Sequence, residues 1–306
     1  MTITSLLLIM LGTTIRGWLW PIQQLCNAGV LVDVEVYRSE LSNADRYNRQ
    51  QLYFSMLNLH SGISAQSCAK KLASSTIAIM GFGGIGSNCA LQLANSGIQG
   101  LILCDCDKVE DTNLVRQFLY RNKDISSFKT SAALRNLNEI RNDLHVRTVN
   151  KAMNTTEDAK KVIEGADCVI CTMDNPPDLI KRVVNEACIE EKIPVIFAGF
   201  SEHMGLAGPL VVPYLSPCYE CQRAQLPTTN TSVRMNADIV TPSFGPLCMA
   251  ISAVTVDEVI RYVSGYATPG LIGKTLMMNG NDYTTTTSQW LRSLSCPVCG
   301  KTEGTV

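Results

Sequence analysis

The feature that most restricts this fold is the run Gly81-Phe82-Gly83-Gly84-Ile85-Gly86. It lies between a short apolar stretch, Thr76 to Met80, and a helix-like stretch, Ser87 to Ser96. Glycines at G-x-G-x-x-G spacing let a chain turn sharply out of a strand. They also let backbone amides approach a phosphate at the start of a helix, where unbonded N–H groups and the helix dipole favour an anion. Asp105 stands 19 residues after Gly86, at the end of the next apolar run, Leu101 to Cys104. A carboxylate at that place accepts hydrogen bonds from ribose hydroxyls. By themselves, Gly81, Gly83, Gly84, Gly86 and Asp105 describe a dinucleotide site with NAD as the default ligand.

From Ser64 onward, apolar runs of strand length alternate with helical patterns. Strands are predicted at 76–80, 101–104, 146–150, 168–172 and 194–198, and helices at 87–96, 128–141, 157–163 and 177–191. This alternation implies an α/β, Rossmann-like fold: a mostly parallel sheet with helices on both faces. Gly205–Val212 and Thr275–Met278 read as strands of a second, antiparallel sheet region. The polar run Leu226–Pro242 reads as a mobile crossover. Residues 1–45 read as a small N-terminal α+β lobe. Within it, Trp18, Ile22 and Leu25 have helical spacing, and Val30–Tyr37 alternates apolar with polar residues as a half-buried strand does. The chain thus divides into a lobe at 1–45, a candidate binder of a peptide leader, and a main domain at 46–306.

The residues after Asp105 do not suit hydride transfer. Asp107, Asn113, Arg116 and Gln117 crowd the segment past the strand end, and Lys129 opens the next helix. Triphosphate chemistry uses such a set, because cations offset phosphate charge and an acid can hold Mg²⁺. Asp174 follows the strand at 168–172, so it lies at the carboxyl end of the sheet, where ligands bind in open α/β folds. These residues move the expected nucleotide from NAD to ATP.

Cys218-Tyr-Glu-Cys221 and Cys296-Pro-Val-Cys299 are two C-x-x-C pairs. Four thiolates suit tetrahedral Zn²⁺ with no open position, which makes a structural clamp between distant segments. Cys168 and Cys171 share the spacing but lie in an apolar strand, where core packing is expected. Cys188 and Cys248 have apolar helical surroundings, and the crossover at 226–242 contains no cysteine, so no enzyme thioester is expected. Thirteen cysteines, an odd number, suit a reducing, cytoplasmic setting. The apolar run Ser5–Gly12 is too short to span a bilayer and reads as a buried strand. The charge balance, 26 basic and 27 acidic residues, excludes a dedicated nucleic-acid binder. His60, His145 and His203 show no triad spacing.

Together these motifs resemble the ThiF/MoeB/HesA superfamily, the relatives of ubiquitin-activating enzymes. The resemblance runs from Arg46-Tyr-Asn-Arg49-Gln50 through the glycine loop, the Asp105–Gln117 segment, Lys129, Thr172-Met-Asp174-Asn175 and the cysteine pairs. It implies an adenylating enzyme using ATP and Mg²⁺. Asp105 would bind ribose; Asn113, Arg116 and Lys129 would contact phosphates; Asp174 would position Mg²⁺. Arg49 would reach into the other subunit's site in a homodimer. The glycine usual before the lysine is replaced here by Ser126-Ser-Phe-Lys129. The runs Gly208-Pro-Leu210 and Phe244-Gly-Pro246 are most similar to the branch that modifies ribosomally made precursor peptides, as in microcin C and pantocin A maturation. That branch implies a peptide carboxylate as substrate, with pantocin-type glutamate activation slightly favoured. The alternatives are a sulfur-carrier protein C-terminus as substrate, an NAD-dependent dehydrogenase, and a non-catalytic scaffold.

Overall fold

A computed structural model of the chain describes residues 46–57, 63–201, 203–226 and 242–300. The expected N-terminal lobe, His60 and nearly all of the expected crossover lie outside them. The described chain forms two compact units. One combines the residues up to Ala73 with Ile260–Thr268; the other comprises Ser74–Val259 and the residues from Pro269 on.

The larger unit is built on one eight-stranded sheet of order β3-β2-β1-β4-β5-β6-β7-β8. The strands are β1 (Thr76–Met80), β2 (Gly100–Cys104), β3 (His145–Val149), β4 (Cys168–Cys171), β5 (Val195–Ser201), β6 (Met204–Val211), β7 (Lys274–Asn279) and β8 (Thr285–Gln289). The first five are parallel and the last three antiparallel. The antiparallel region expected from the sequence is therefore continuous with the parallel one. Strand β8 was not anticipated, because Thr285-Thr-Thr-Ser-Gln289 carries no apolar alternation. Its polar, mostly exposed residues suit a sheet edge.

Composition explains the strands. Thr76-Ile-Ala-Ile-Met80 and Cys168-Val-Ile-Cys171 are apolar on both faces, as strands covered on both sides must be. Ala78, Met80, Ile102, Cys104, Val169 and Cys171 share a core cluster with Ala159, Val162 and Ile163 of α5 (Thr156–Ile163) and with Val184 and Cys188 of α6 (Leu179–Glu190). The alternate residues Ile77, Ile79, Leu101 and Leu103 are also fully buried and point to the opposite face. There α3 (Gly86–Ala94) and α4 (Lys129–Ile140) pack. Each such aliphatic side chain stabilises the fold by about 1.5–3 kcal/mol. An exposed pair such as Lys123–Glu139, 3.1 Å apart, adds about 0–1 kcal/mol, so the core decides the fold.

The smaller unit contains α1 (Asn48–Leu57) and α2 (Ala65–Ala73). Phe54 stacks on Tyr266, with ring centroids 4.3 Å apart. The Arg261 guanidinium lies 5.5 Å from the same ring. No helix among the described residues is long and apolar enough to cross a membrane. All twelve described cysteines are unbridged.

Candidate active site

Strands β1 and β4 are neighbours, while the chain leaves β1 toward β2. The sheet order therefore reverses at β1, and a crevice opens at its carboxyl end. The glycine run fills this position. Gly81 takes φ 96°, a left-handed conformation that side chains disfavour. A Cβ on Gly86 would lie 1.9 Å from the Gly81 carbonyl oxygen, so only glycine closes the turn there. Gly83 is different: a Cβ would meet nothing within 4 Å. The amides of Gly83, Gly84 and Ile85 bond to no described residue. Unbonded amides, open space and the start of α3 form an anion cradle.

Three side chains hold this cradle. Asp105 accepts from the Phe82 amide at 2.6 Å and from the Asp107 amide at 2.7 Å. A carboxylate has about four acceptor positions, so two remain open to a ligand. The Thr172 hydroxyl donates to the Gly81 carbonyl at 2.9 Å, tying the end of β4 to the loop. Asn88, fully buried, donates to the Gly84 carbonyl at 2.7 Å and the Arg116 carbonyl at 3.1 Å. It also accepts from the Phe118 amide at 3.3 Å. The sequence reading missed Asn88. The only signal was a polar side chain on the first turn of an apolar helix.

Lys129 begins α4 and is 7 % exposed. Its ammonium pairs with the mostly exposed Asp107 at 2.7 Å. A buried ammonium needs such a partner, and a triphosphate can replace it. The replaced glycine finds its explanation here. Ser126, three residues before Lys129, takes φ 72°, the conformation glycine favours. It is held by its amide bond to Val109, while Lys108 and Phe128 form an antiparallel bridge. Lys129 is thus placed without the glycine.

Arg116 donates to the Thr112 carbonyl at 2.7 Å, and its methylenes pass beside Gly84. Asn113 is buried and closes the turn after Glu110, whose amide it accepts at 3.2 Å. Its amide group is thus engaged within its own loop. Gln117 is 1 % exposed, and its Oε1 has no partner among the described residues, which leaves a buried acceptor for a ligand or water. Asp174 is exposed just past β4 and makes no hydrogen bond or ion pair with a described residue. Lys181 is half-buried and makes no hydrogen bond with a described residue. Its Nζ lies 3.9 Å from where a Gly199 Cβ would stand. Arg49 is exposed on α1 in the smaller unit.

The four knuckle cysteines come together as expected. Cys218, Cys221, Cys296 and Cys299 are buried, with Sγ atoms all within 4.8 Å of one another. Cys218–Cys296 and Cys221–Cys299 are 3.6 and 3.5 Å apart. A tetrahedral zinc–thiolate centre has S···S separations of about 3.8 Å. The set therefore could hold zinc. Three buried thiols, Cys168, Cys171 and Cys248, are held in the protonated form. Burial pushes Cys168 up to about 12 and Cys171 up to about 11. It also raises Cys248 despite the neighbouring Ser243 and Arg116.

These contacts separate two glycines with the same motif role. Gly83→Ala should keep the wild-type Tm and lose nucleotide affinity, because its methyl enters the cradle. Gly86→Ala should lower Tm by several degrees, because its methyl meets the Gly81 carbonyl. Thermal melts with and without ATP check both, and equal Tm losses would refute the distinction.

Residues 48–298 match the ThiF family. The sulfur carrier protein ThiS adenylyltransferase of Escherichia coli K12 is 30 % identical over 239 residues, covering 76 % of this chain and 88 % of that protein. The crystal structure of E. coli MccB with ATP superposes with a TM-score of 0.82 at 28 % identity, over 94 % of this chain and 82 % of that one. The structure of PaaA superposes with a TM-score of 0.70 at 26 % identity, over 80 % and 82 %. The ATP-directed residues and the family match converge: the chain belongs to the ThiF family and is an ATP-dependent adenylating enzyme.

Proposed function

We propose that the protein adenylates a carboxylate of a ribosomally made precursor peptide. The observation that carries this reading is the reach of the structural likeness. MccB with its MccA peptide superposes with a TM-score of 0.83 at 28 % identity, over 94 % of this chain and 83 % of that one. A microcin C-type activation is the form this likeness favours; the pantocin-type form, activating a glutamate side chain that then cyclises, is supported by PaaA over 80 % of this chain. The second reading is a sulfur-carrier C-terminus, favoured by the identity to the ThiS adenylyltransferase.

In the proposed reaction a peptide carboxylate oxygen attacks the α-phosphorus of ATP. The bond to the bridging oxygen of the β-phosphate breaks, giving acyl-AMP and pyrophosphate. A nucleophile of the peptide then takes the acyl group and releases AMP. The Gly83–Ile85 amides and Asp105 bind and orient the nucleotide. Lys129 exchanges Asp107 for phosphate and offsets charge that moves onto pyrophosphate, with Arg116 beside it. Mg²⁺ takes oxygen ligands and keeps few protein contacts when phosphates are present. Asp174, just past β4 at the carboxyl end of the sheet and unpaired among the described residues, fits that role. Bound there, Mg²⁺ would neutralise phosphate charge. No thiol is required.

The cysteine cluster is proposed to hold one structural Zn²⁺, and Arg49 to complete the site of a second copy in a homodimer. A leader-binding role for residues 1–45 belongs to the same proposal.

Four measurements test these statements. Asp174→Ala should lower pyrophosphate release about 10²–10³-fold, the size of effect expected for loss of a key electrostatic group. The substrates compared are peptides encoded beside the gene and a carrier protein ending in Gly-Gly. Adenylylation or dehydration of the carrier alone would replace the peptide reading with the second one. Elemental analysis of the purified protein should find one zinc per chain, and a Cys299→Ser variant should lose it along with thermal stability. Zinc-free wild-type protein of full stability would exclude the structural metal. Mixing inactive Arg49→Ala and Asp174→Ala proteins should restore about a quarter of wild-type activity, because half the dimers regain one intact site. No recovery from a mixture that exchanges subunits would remove Arg49 from the partner's site.

A further inference from the structure

Asp178 follows Asp174 by four residues and is the N-cap of α6. An aspartate in that position ordinarily accepts a hydrogen bond from the helix's own first amides. Asp178 makes no such bond, and its backbone sits at φ 61°, ψ −47°, a region unfavourable to any residue with a Cβ. Its carboxylate turns instead to α7 (Tyr219–Gln225), the helix that contains Cys221 and begins directly after Cys218. Oδ1 accepts from the Tyr219 hydroxyl at 3.1 Å and from Arg223 Nε at 2.8 Å.

Both donors are themselves held. Arg223 also donates to Glu220 at 3.0 Å, and Glu220 accepts from Arg182 of α6 at 2.6 Å. The Tyr219 amide donates to the fully buried Asn185 of α6 at 2.9 Å, and its ring lies 5.1 Å from that of Phe197. Two of these ties, Arg182–Glu220 and Tyr219–Asn185, already join α6 to α7 without Asp178. The Asp178 contacts are therefore not needed merely to pack the two helices. What they add is a fixed, unfavourable backbone conformation at the end of the segment that starts with Asp174. Unfavourable backbone of this kind persists beside functional groups, where the surroundings over-determine it.

We propose that Asp178, held by Tyr219 and Arg223, is a positioning residue that sets the Asp174 carboxylate toward the divalent cation of the bound nucleotide. The cysteine-bearing helix then contributes to cation binding as well as to stability. This rests on the reading of Asp174 as the cation-holding residue.

The test uses the whole protein with ATP as probe, and compares ATP affinity with saturating Mg²⁺ and with no divalent cation added. In the wild type, Mg²⁺ tightens binding. Asp174→Ala should abolish the tightening. Arg223→Gln should reduce it about tenfold and Tyr219→Phe, which deletes only a hydroxyl, about threefold. Affinity without the cation should stay within about twofold of wild type in both, and Arg223→Lys should recover part of the loss. A purely structural role would weaken both conditions alike and follow Tm. Full tightening in Tyr219→Phe and Arg223→Gln, with loss in Asp174→Ala, overturns this inference alone. Full tightening in Asp174→Ala overturns the cation role of Asp174 and this inference with it.

Discussion

The site depends on a turn too tight for a side chain. Gly86 and the Gly81 carbonyl come so close that no Cβ fits between them, and Gly81 itself is left-handed. The short hydrogen bond from the Phe82 amide to Asp105 closes the turn from β2, and Thr172 closes it from β4. With both clamps in place, the next three amides meet no acceptor among the described residues, and the space where a Gly83 Cβ would stand is open. The loop is thus shaped by sterics and by buried hydrogen bonds before any ligand arrives, so little ordering remains for binding to oppose.

Charge is handled by the same economy of partners. Lys129 is nearly buried, and Asp107 neutralises it across 2.7 Å. The pair is asymmetric, since the carboxylate is mostly exposed and the ammonium is not. A polyanion can therefore displace Asp107 into water at small cost while the lysine stays in place. Asp174, past the end of β4, has no such partner among the described residues. Burial raises the thiols of Cys168, Cys171 and Cys248 above their ordinary range, which disfavours the thiolate at those three positions.

The two sheet regions meet without a break, and this gives the cysteine knuckle its place. Strand β5 pairs with β4 on one side and β6 on the other, so the parallel half that forms the nucleotide crevice is continuous with the half that leads to Cys218 and Cys296. Helix α7 then returns to α6 through Asp178, Asn185 and Glu220. A centre far from the crevice in sequence is joined to the loop of Asp174 by ordinary ion pairs and hydrogen bonds.

Much of this was legible in the sequence. The glycine spacing, Asp105 at the next strand end and the two C-x-x-C pairs each depend on local chemistry, and local chemistry is written in consecutive residues. Alternating strand and helix patterns were enough for the parallel sheet. Strand β8 was hidden because an edge strand needs no apolar face. Asn88 and Asp178 were hidden because their contacts come from what lies opposite them: Arg116 and Phe118 for one, Tyr219 and Arg223 for the other. The sequence by itself determined the kind of nucleotide site and the residues able to serve it. Only the tertiary structure decided which of those residues are already engaged, as Asn113 and Lys129 are, and which stand open, as Asp174 and the Gly83–Ile85 amides do. A side chain's partners are set by packing between segments distant in sequence, and no local pattern encodes that.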